Sequence, residues 1–167
     1  MTNSLTKTKE SPSSFVRGAW RRLQPLPGGK WAFTRMMGFF GPYAGSISPA
    51  VEELRHSYAR VRMPYRRAIK NHIGCVHAAA LFNLAEFTVI MALSHTVPDE
   101  ARFIVAGAQI DYVSKARSEI TGICECPPID GRERREYEVP VCLQDAQGNT
   151  VAEGRIRVLV GPNRTRK

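Results

Sequence analysis

No C-x-x-C pair occurs among the four cysteines of this 167-residue chain, Cys75, Cys124, Cys126 and Cys142. That spacing is what a zinc ribbon or a dithiol redox motif requires, so no metal site is expected. Cys124 and Cys126 stand two apart and would point the same way from a strand, as small apolar residues. Four thiols without a pairing pattern fit a reducing compartment, and a cytoplasmic location is expected. No uninterrupted apolar run of about 20 residues is present, so no spanning helix is expected. The longest apolar-rich run, 76–93, is broken by Asn83, Glu86 and Thr88. The N-terminus lacks the short apolar run of a secretory signal. There is no internal repeat. Helix-turn-helix, zinc and aromatic RNA-binding signatures are also missing, which argues against nucleic acid as a partner.

What is present suits one ordinary domain with a sizeable core. The apolar fraction of 43% is that of a globular protein. A net charge of +9 favours anionic partners, whether nucleic acid, anionic lipid or a phosphate-rich cofactor. Charge alone does not choose between them, and a basic but unspecialised surface accounts for it equally.

Residues 1–14 are rich in Ser, Thr and Lys without apolar period and read as a disordered tail. Phe15, Val16, Ala19, Trp20 and Leu23 follow helical spacing. The Pro25–Gly29 cluster stops that helix, and a second short one carries Trp31, Met36, Met37 and Phe40. Residues 15–42 thus form a helical extension. Past Gly41-Pro42 the pattern changes. Residues 43–48 read as a short strand. Residues 52–63 alternate, with Ser57, Ala59, Val61 and Met63 on one face. A polar segment, 65–74, leads to a long helix over about 76–94. Four strands follow, at 102–113, 119–126, 134–143 and 150–160, joined by turns at 127–131 and 144–149. The main domain is therefore 43–160, with a basic tail at 161–167. The order is strand, strand, helix, four strands: an α+β fold with a largely antiparallel sheet.

The long helix is apolar all the way round, which requires burial. Glu86 stands out in it, because a buried carboxylate needs donors, water or a function. One reading is a general base or nucleophile in an apolar cleft. The other is a carboxylate paired with an arginine, or one reaching solvent at the helix edge. Ahead of the helix, 71–77 is a polar loop with a glycine. Unpaired amides at a helix N-terminus can hold an oxyanion. Asn71 and His77 could orient a carbonyl or a water there. Asn71 also suits a turn or cap, and His77 a core position. Cys75 between His72 and His77 has the composition of a cysteine-nucleophile site, but no third group orients it.

The run N-H-I-G-C-V-H-A-A-A-L-F-N-L-A-E at 71–86 resembles the signature of hotdog-fold acyl-CoA thioesterases of the phenylacetate-pathway type. That signature is N-x-x-G-x-x-H-G-G, with Asp or Glu seven residues on. Asn71, Gly74, His77 and Glu86 fall on its polar, glycine and acidic positions, and Ala78 and Ala79 replace its two glycines. Residues 110–117 are similar to the family's I-x-Y-x-x-P-A-K/R strand end. The likeness spans about 43–160 and is closer still to an uncharacterised hotdog branch. The H-F-P-G motif of hotdog dehydratases is absent.

The resemblance implies a curved antiparallel sheet wrapped around one central helix, preceded here by the helical extension. It implies a homodimer, or dimers paired into a homotetramer, with the site at the dimer seam and Asn71 and Glu86 drawn from different chains. The implied reaction is hydrolysis of an acyl-CoA or acyl-carrier thioester. CoA enters as part of the substrate, with no separate cofactor. Glu86 would activate water or attack the thioester, His77 would lie near it, and Gly74, Ala78 and Ala79 would supply the oxyanion-binding backbone. The methyl groups of Ala78 and Ala79 narrow that hole, so a non-catalytic ligand-binding or assembly module is the alternative. The basic amphipathic piece at 15–23 suits peripheral membrane contact, or packing of Trp20 and Trp31 on the sheet or a partner subunit.

Overall fold

The computed structural model describes residues 11–163. Of the disordered tail expected at 1–14, residues 1–10 lie outside that range, as do the last four residues of the basic tail; residues 11–14 instead form the cap and first turn of a helix. Helix α1 (Pro12–Leu23) starts three residues before the apolar period. The Ser11 hydroxyl accepts from the Ser14 N–H at 3.0 Å, and Pro12 fills the first turn, where its missing N–H costs nothing. Val16 and Trp20 turn inward, and Trp20 meets Phe33 of α2 (Gly29–Phe40) edge to face at 5.0 Å. Only glycine fits at 29, because a Cβ there would lie 1.8 Å from the Leu23 carbonyl oxygen.

The strand expected at 43–48 does not form. Pro42, with its φ already helical, opens a single helical turn, α3 (Pro42–Gly45). The amides of Gly45 and Ser46 return to the carbonyls of Gly41 and Pro42 at 2.9 and 3.1 Å. The alternating run that follows is two strands, not one. These are β1 (Ala50–Arg55) and β2 (Tyr58–Met63), paired antiparallel. The chain reverses at Ser57, which adopts φ 60°. There its N–H donates to the Thr96 hydroxyl and its carbonyl accepts from the Cys126 N–H. Ala59, Val61 and Met63 do share the buried face.

Next comes the central helix, α4 (Ala78–Thr96), and then β3 (Ala101–Tyr112), β4 (Ile120–Glu125), β5 (Arg135–Gln144) and β6 (Thr150–Pro162). The six strands form one antiparallel sheet in the order β1-β2-β4-β5-β6-β3. Ile120, Gly122, Cys124 and Cys126 face the helix, as do Val139, Val141 and Leu143, and Ile156, Val158 and Val160. The Cys124 and Cys126 sulfurs lie 4.0 Å apart, and this contact together with burial pushes the Cys124 thiol far up. By length and apolarity alone α4 could cross a bilayer, but two-thirds of its most apolar stretch is enclosed by its own fold, as a core helix is. It packs most closely on β2, β4 and β5 and less closely on β1, β6 and β3. The inner residues of the twelve-residue edge strand β3, Phe103, Val105 and Ile110, are therefore only half-buried against the core.

Arg17 fixes α1 across the C-terminal end of α4. Its guanidinium donates to the carbonyls of Ser94 and Val97 at 3.1 and 2.9 Å and pairs with Asp99. His95 sits under this contact, with its Nδ1 buried and unpartnered among the described residues. Burial, and then the charges of Arg17 and His56, hold the imidazole below its ordinary value of 6.5.

Two outcomes are expected. Above pH 6.5, His95 is uncharged in both the folded and unfolded states. Below it the unfolded chain takes up a proton that the fold refuses, so stability falls until the folded group titrates too. Urea unfolding across pH should show this slope, and His95→Asn should flatten it. Gly122→Ala would bring a Cβ within 2.5 Å of the Thr88 hydroxyl, which is itself tied to the Leu84 carbonyl. The expected loss in urea unfolding is about 1–3 kcal/mol.

Candidate active site

The helix start is built by the loop ahead of it. Asn71 Oδ1 accepts from the N–H groups of Ile73 and Cys75, at 3.2 and 3.0 Å, and its own N–H donates to the Cys75 carbonyl at 2.8 Å. The Gly74 N–H donates to the Asn71 carbonyl at 3.1 Å in a turn that requires φ +73°. The Tyr65 hydroxyl donates to the Gly74 carbonyl at 2.5 Å. The N–H groups of Val76 and His77 are bound to the carbonyls of Ala116 and Ile69, both at 2.8 Å. Asn71 is thus the internal acceptor of the turn, with its side-chain NH2 left to donate outward. Cys75 is buried beneath it and carries no nucleophile geometry: neither His72 nor His77 is bonded to it.

His77 is the N-cap of α4 and is exposed, not a core histidine. Its Nδ1 accepts from the Ala79 N–H at 3.0 Å. An acceptor Nδ1 carries no proton, so the tautomer places the proton on Nε2, where it is free to donate. The amides of Ala80 and Leu81 reach back to the His77 carbonyl. Of the backbone groups expected to bind an oxyanion, Gly74 and Ala79 therefore have their N–H groups occupied. The Ala78 N–H is left without an acceptor among the described residues.

Burial along α4 is uneven. Ala78 and Ala79 are exposed, Phe82, Glu86 and Ile90 are half-buried, and every other residue from Ala80 to Ser94 is buried. At about 100° per residue these five fall within roughly 120° of the helix circumference. The helix is therefore not sealed all the way round, as its composition suggested. It has one uncovered stripe, and Glu86 lies within it between two apolar side chains one turn away on either side. No hydrogen bond or ion pair holds the Glu86 carboxylate among the described residues. The acids and arginines that do pair lie elsewhere, such as Arg62 with Glu52 and Glu119 at 2.7 and 2.6 Å.

Two residues were missed from sequence. Tyr112, at the end of β3, donates to the Ala78 carbonyl at 3.1 Å, and burial raises its phenol, which keeps the donor protonated. Asn83 is buried and donates to the Tyr43 carbonyl at 2.9 Å, joining α3 to α4. A polar residue inside an apolar helix was the available signal for Asn83. For Tyr112 the signal was its place on the tyrosine of the I-x-Y-x-x-P-A-K/R strand end. A large cavity, about 1220 Å³, lies elsewhere, between α2 and β1.

The model of a family described as a domain of unknown function, DUF4442, matches residues 29–160, which takes in α2 as well as the sheet. A crystal structure of a genomics target is 32% identical, covers 89% of this chain and 99% of its own, and superposes with a TM-score of 0.79. A Pseudomonas aeruginosa protein of unknown function, called a probable thioesterase, is 24% identical over 83% of this chain and 97% of its own, at a TM-score of 0.69. A thioesterase family protein from Silicibacter pomeroyi is 13% identical over 78% and 96%, at 0.67. The last two likenesses establish the hotdog fold. No curated protein matches the chain.

Asn71→Ala removes the acceptor of two loop amides and should cost about 1–3 kcal/mol in thermal or urea unfolding without any substrate present. Unchanged stability would show that the loop does not depend on the Asn71 side chain.

Proposed function

Since the chain belongs to the DUF4442 family and has the hotdog fold of its thioesterase neighbours, we propose that it hydrolyses acyl thioesters carried on CoA or a carrier protein, at a site shared by two subunits. The observation that carries this reading is Glu86, an unpaired carboxylate in an otherwise apolar stripe that its own sheet leaves open.

Helix geometry divides the site between chains. The rise from Ala78 to Glu86 is about 12 Å, more than a glutamate side chain and one water can bridge. A second copy related by two-fold symmetry brings its own stripe, running the opposite way. Ala78 of one protomer then faces Glu86 of its partner. The free edge of β3, with its half-buried Val105 and Ile110 and the exposed Tyr112 and Val113, suits a pairing edge to edge. A homodimer is the smallest assembly that completes the site, and a pair of dimers retains it.

The thioester carbonyl oxygen accepts from the Ala78 N–H, with the His77 Nε2–H as a second donor. Tyr112 holds the Ala78 carbonyl and so aligns that first turn. The Glu86 carboxylate takes a proton from water as the oxygen attacks the carbonyl carbon. The C–S bond then breaks, and the thiolate leaves with the proton returned by Glu86. The stripe's apolar flanks, Phe82 and Ile90, keep the acid in a poorly solvated setting and offer contact to an acyl chain. The chemistry calls for no separate cofactor. A cytoplasmic location, where acyl-CoA is available, suits the four free thiols.

Occupation of the Ala79 amide by His77 favours one other reading, an acyl-thioester-binding module with a hole too poor for turnover. Hydrolysis of short, long and aromatic acyl-CoAs separates the two. Glu86→Gln should lower kcat/KM by about 10²–10⁴ with the oligomer intact. Ala78→Pro removes the one free amide at a helix position that tolerates proline, and should cost about 10²–10³. Mixing the two inactive variants should restore about a quarter of wild-type activity, since random exchange gives half heterodimers with one intact site each. Tight acyl-CoA binding without turnover would support the binding module, and full activity in Glu86→Gln would remove Glu86 as the base.

A further inference from the structure

The exposed apolar surface is concentrated on the N-terminal helices. Among the described residues, six of the ten exposed large hydrophobics lie between Phe15 and Tyr43, and Trp31, Phe39 and Tyr43 are 70%, 81% and 70% exposed. Patches of this kind on a folded protein mark a contact surface. The sequence pointed to residues 15–23 for such a contact, but α1 turns its apolar face inward through Val16 and Trp20. The outward rings belong to α2 and α3. Trp31, Arg35 and Phe39 stand at successive turns of α2 and form one wall of the 1220 Å³ groove against Pro49, Ala50 and Val51.

Charge is equally one-sided. From Ser11 to Val51 the chain contains Arg17, Arg21, Arg22, Lys30 and Arg35 and not one Asp or Glu. Arg17 is engaged with Asp99, and Arg35 lies over the Trp31 ring at 5.8 Å. Glu52, the acid at the groove's edge, is already paired with Arg60 and Arg62. The Lys30 ammonium caps the Glu52 carbonyl at 2.6 Å, which draws it to the rim of the groove. A second copy fits this surface poorly, because a two-fold contact sets these cations against themselves.

We propose that the α2–α3 face docks on an anionic phospholipid bilayer. Trp31, Phe39 and Tyr43 enter the headgroup boundary, and Lys30, Arg35 and the nearby Arg21 and Arg22 meet the lipid phosphates. Aromatic rings flanked by uncompensated cations are the composition of an interfacial surface, in which apolar burial and attraction to anionic lipid add. Neither signal alone holds a protein on a membrane. The inference is independent of the α4 site and stands or falls without it.

The full-length protein should sediment with vesicles of phosphatidylcholine containing about 30% phosphatidylglycerol, and weakly or not at all with phosphatidylcholine alone. Added salt should release it. Trp20 is 2% exposed and Trp31 70%, so a blue shift of tryptophan emission on binding reports Trp31. Trp31→Phe should abolish the shift while sedimentation persists. The double variant Trp31→Ala/Phe39→Ala and the charge variant Arg35→Glu should each weaken sedimentation about tenfold or more, with unfolding midpoints unchanged because the side chains are exposed. No sedimentation with anionic vesicles at low salt overturns the proposal. So does binding that neither variant affects. A smaller oligomer in the double variant, without vesicle binding in the wild type, assigns the face to a second copy instead.

Discussion

Enclosing α4 is the constraint on which the rest depends. A nineteen-residue helix this apolar has no stable place in water, and the sheet curves around it because each strand turns alternate side chains to it. Gly122 marks how close the contact is, since a methyl group there collides with Thr88. Yet six strands do not complete the enclosure. β6 and β3 extend past the helix, and the stripe from Ala78 to Ile90 stays open. The same incompleteness leaves the inward Phe103, Val105 and Ile110 of β3 only half-buried.

The start of the helix shows how few backbone groups are left for chemistry. Nearly every amide from Ile73 to Leu81 has an acceptor, supplied by Asn71, His77 or the neighbouring loops. The Ala78 N–H does not. An unpaired donor at a helix N-terminus is costly to bury and useful to expose, because the helix dipole favours negative charge there. Asn71 and His77 therefore hold the turn through Oδ1 and Nδ1, which leaves the Asn71 NH2 and the His77 Nε2–H as donors. The two alanines fit this arrangement, since the first keeps its N–H free and the second gives its N–H to His77.

Much of this was legible in the sequence. The period-2 patterns of β3 to β6 located the strands to within two residues, because one face of each is buried and the other wet. The apolar run identified the central helix, and Glu86 was conspicuous in it. What was not legible depended on contacts between distant residues. The turn at Ser57 is fixed by Thr96 and Cys126, so a run that alternates on both sides of it looked like one strand. Residues 43–48 carry no period that separates a short strand from a helical turn, and hydrogen bonds from Pro42 onward settled the matter. The open stripe on α4 is invisible in composition, because Phe82 and Ile90 look the same whether a sheet or a second molecule covers them. The apolar face of α1 and the outward rings of α2 likewise differ only in where the sheet lies.

The most direct test of the shared site is a crystal structure with an acyl-CoA analogue in which a methylene replaces the thioester sulfur. The account predicts its ketone oxygen about 3 Å from the Ala78 N–H of one protomer, with Glu86 of the partner facing the carbonyl carbon. A ligand bound away from the α4 stripe, or a dimer in which that stripe is sealed by apolar side chains with Glu86 turned away from the ligand, would contradict it.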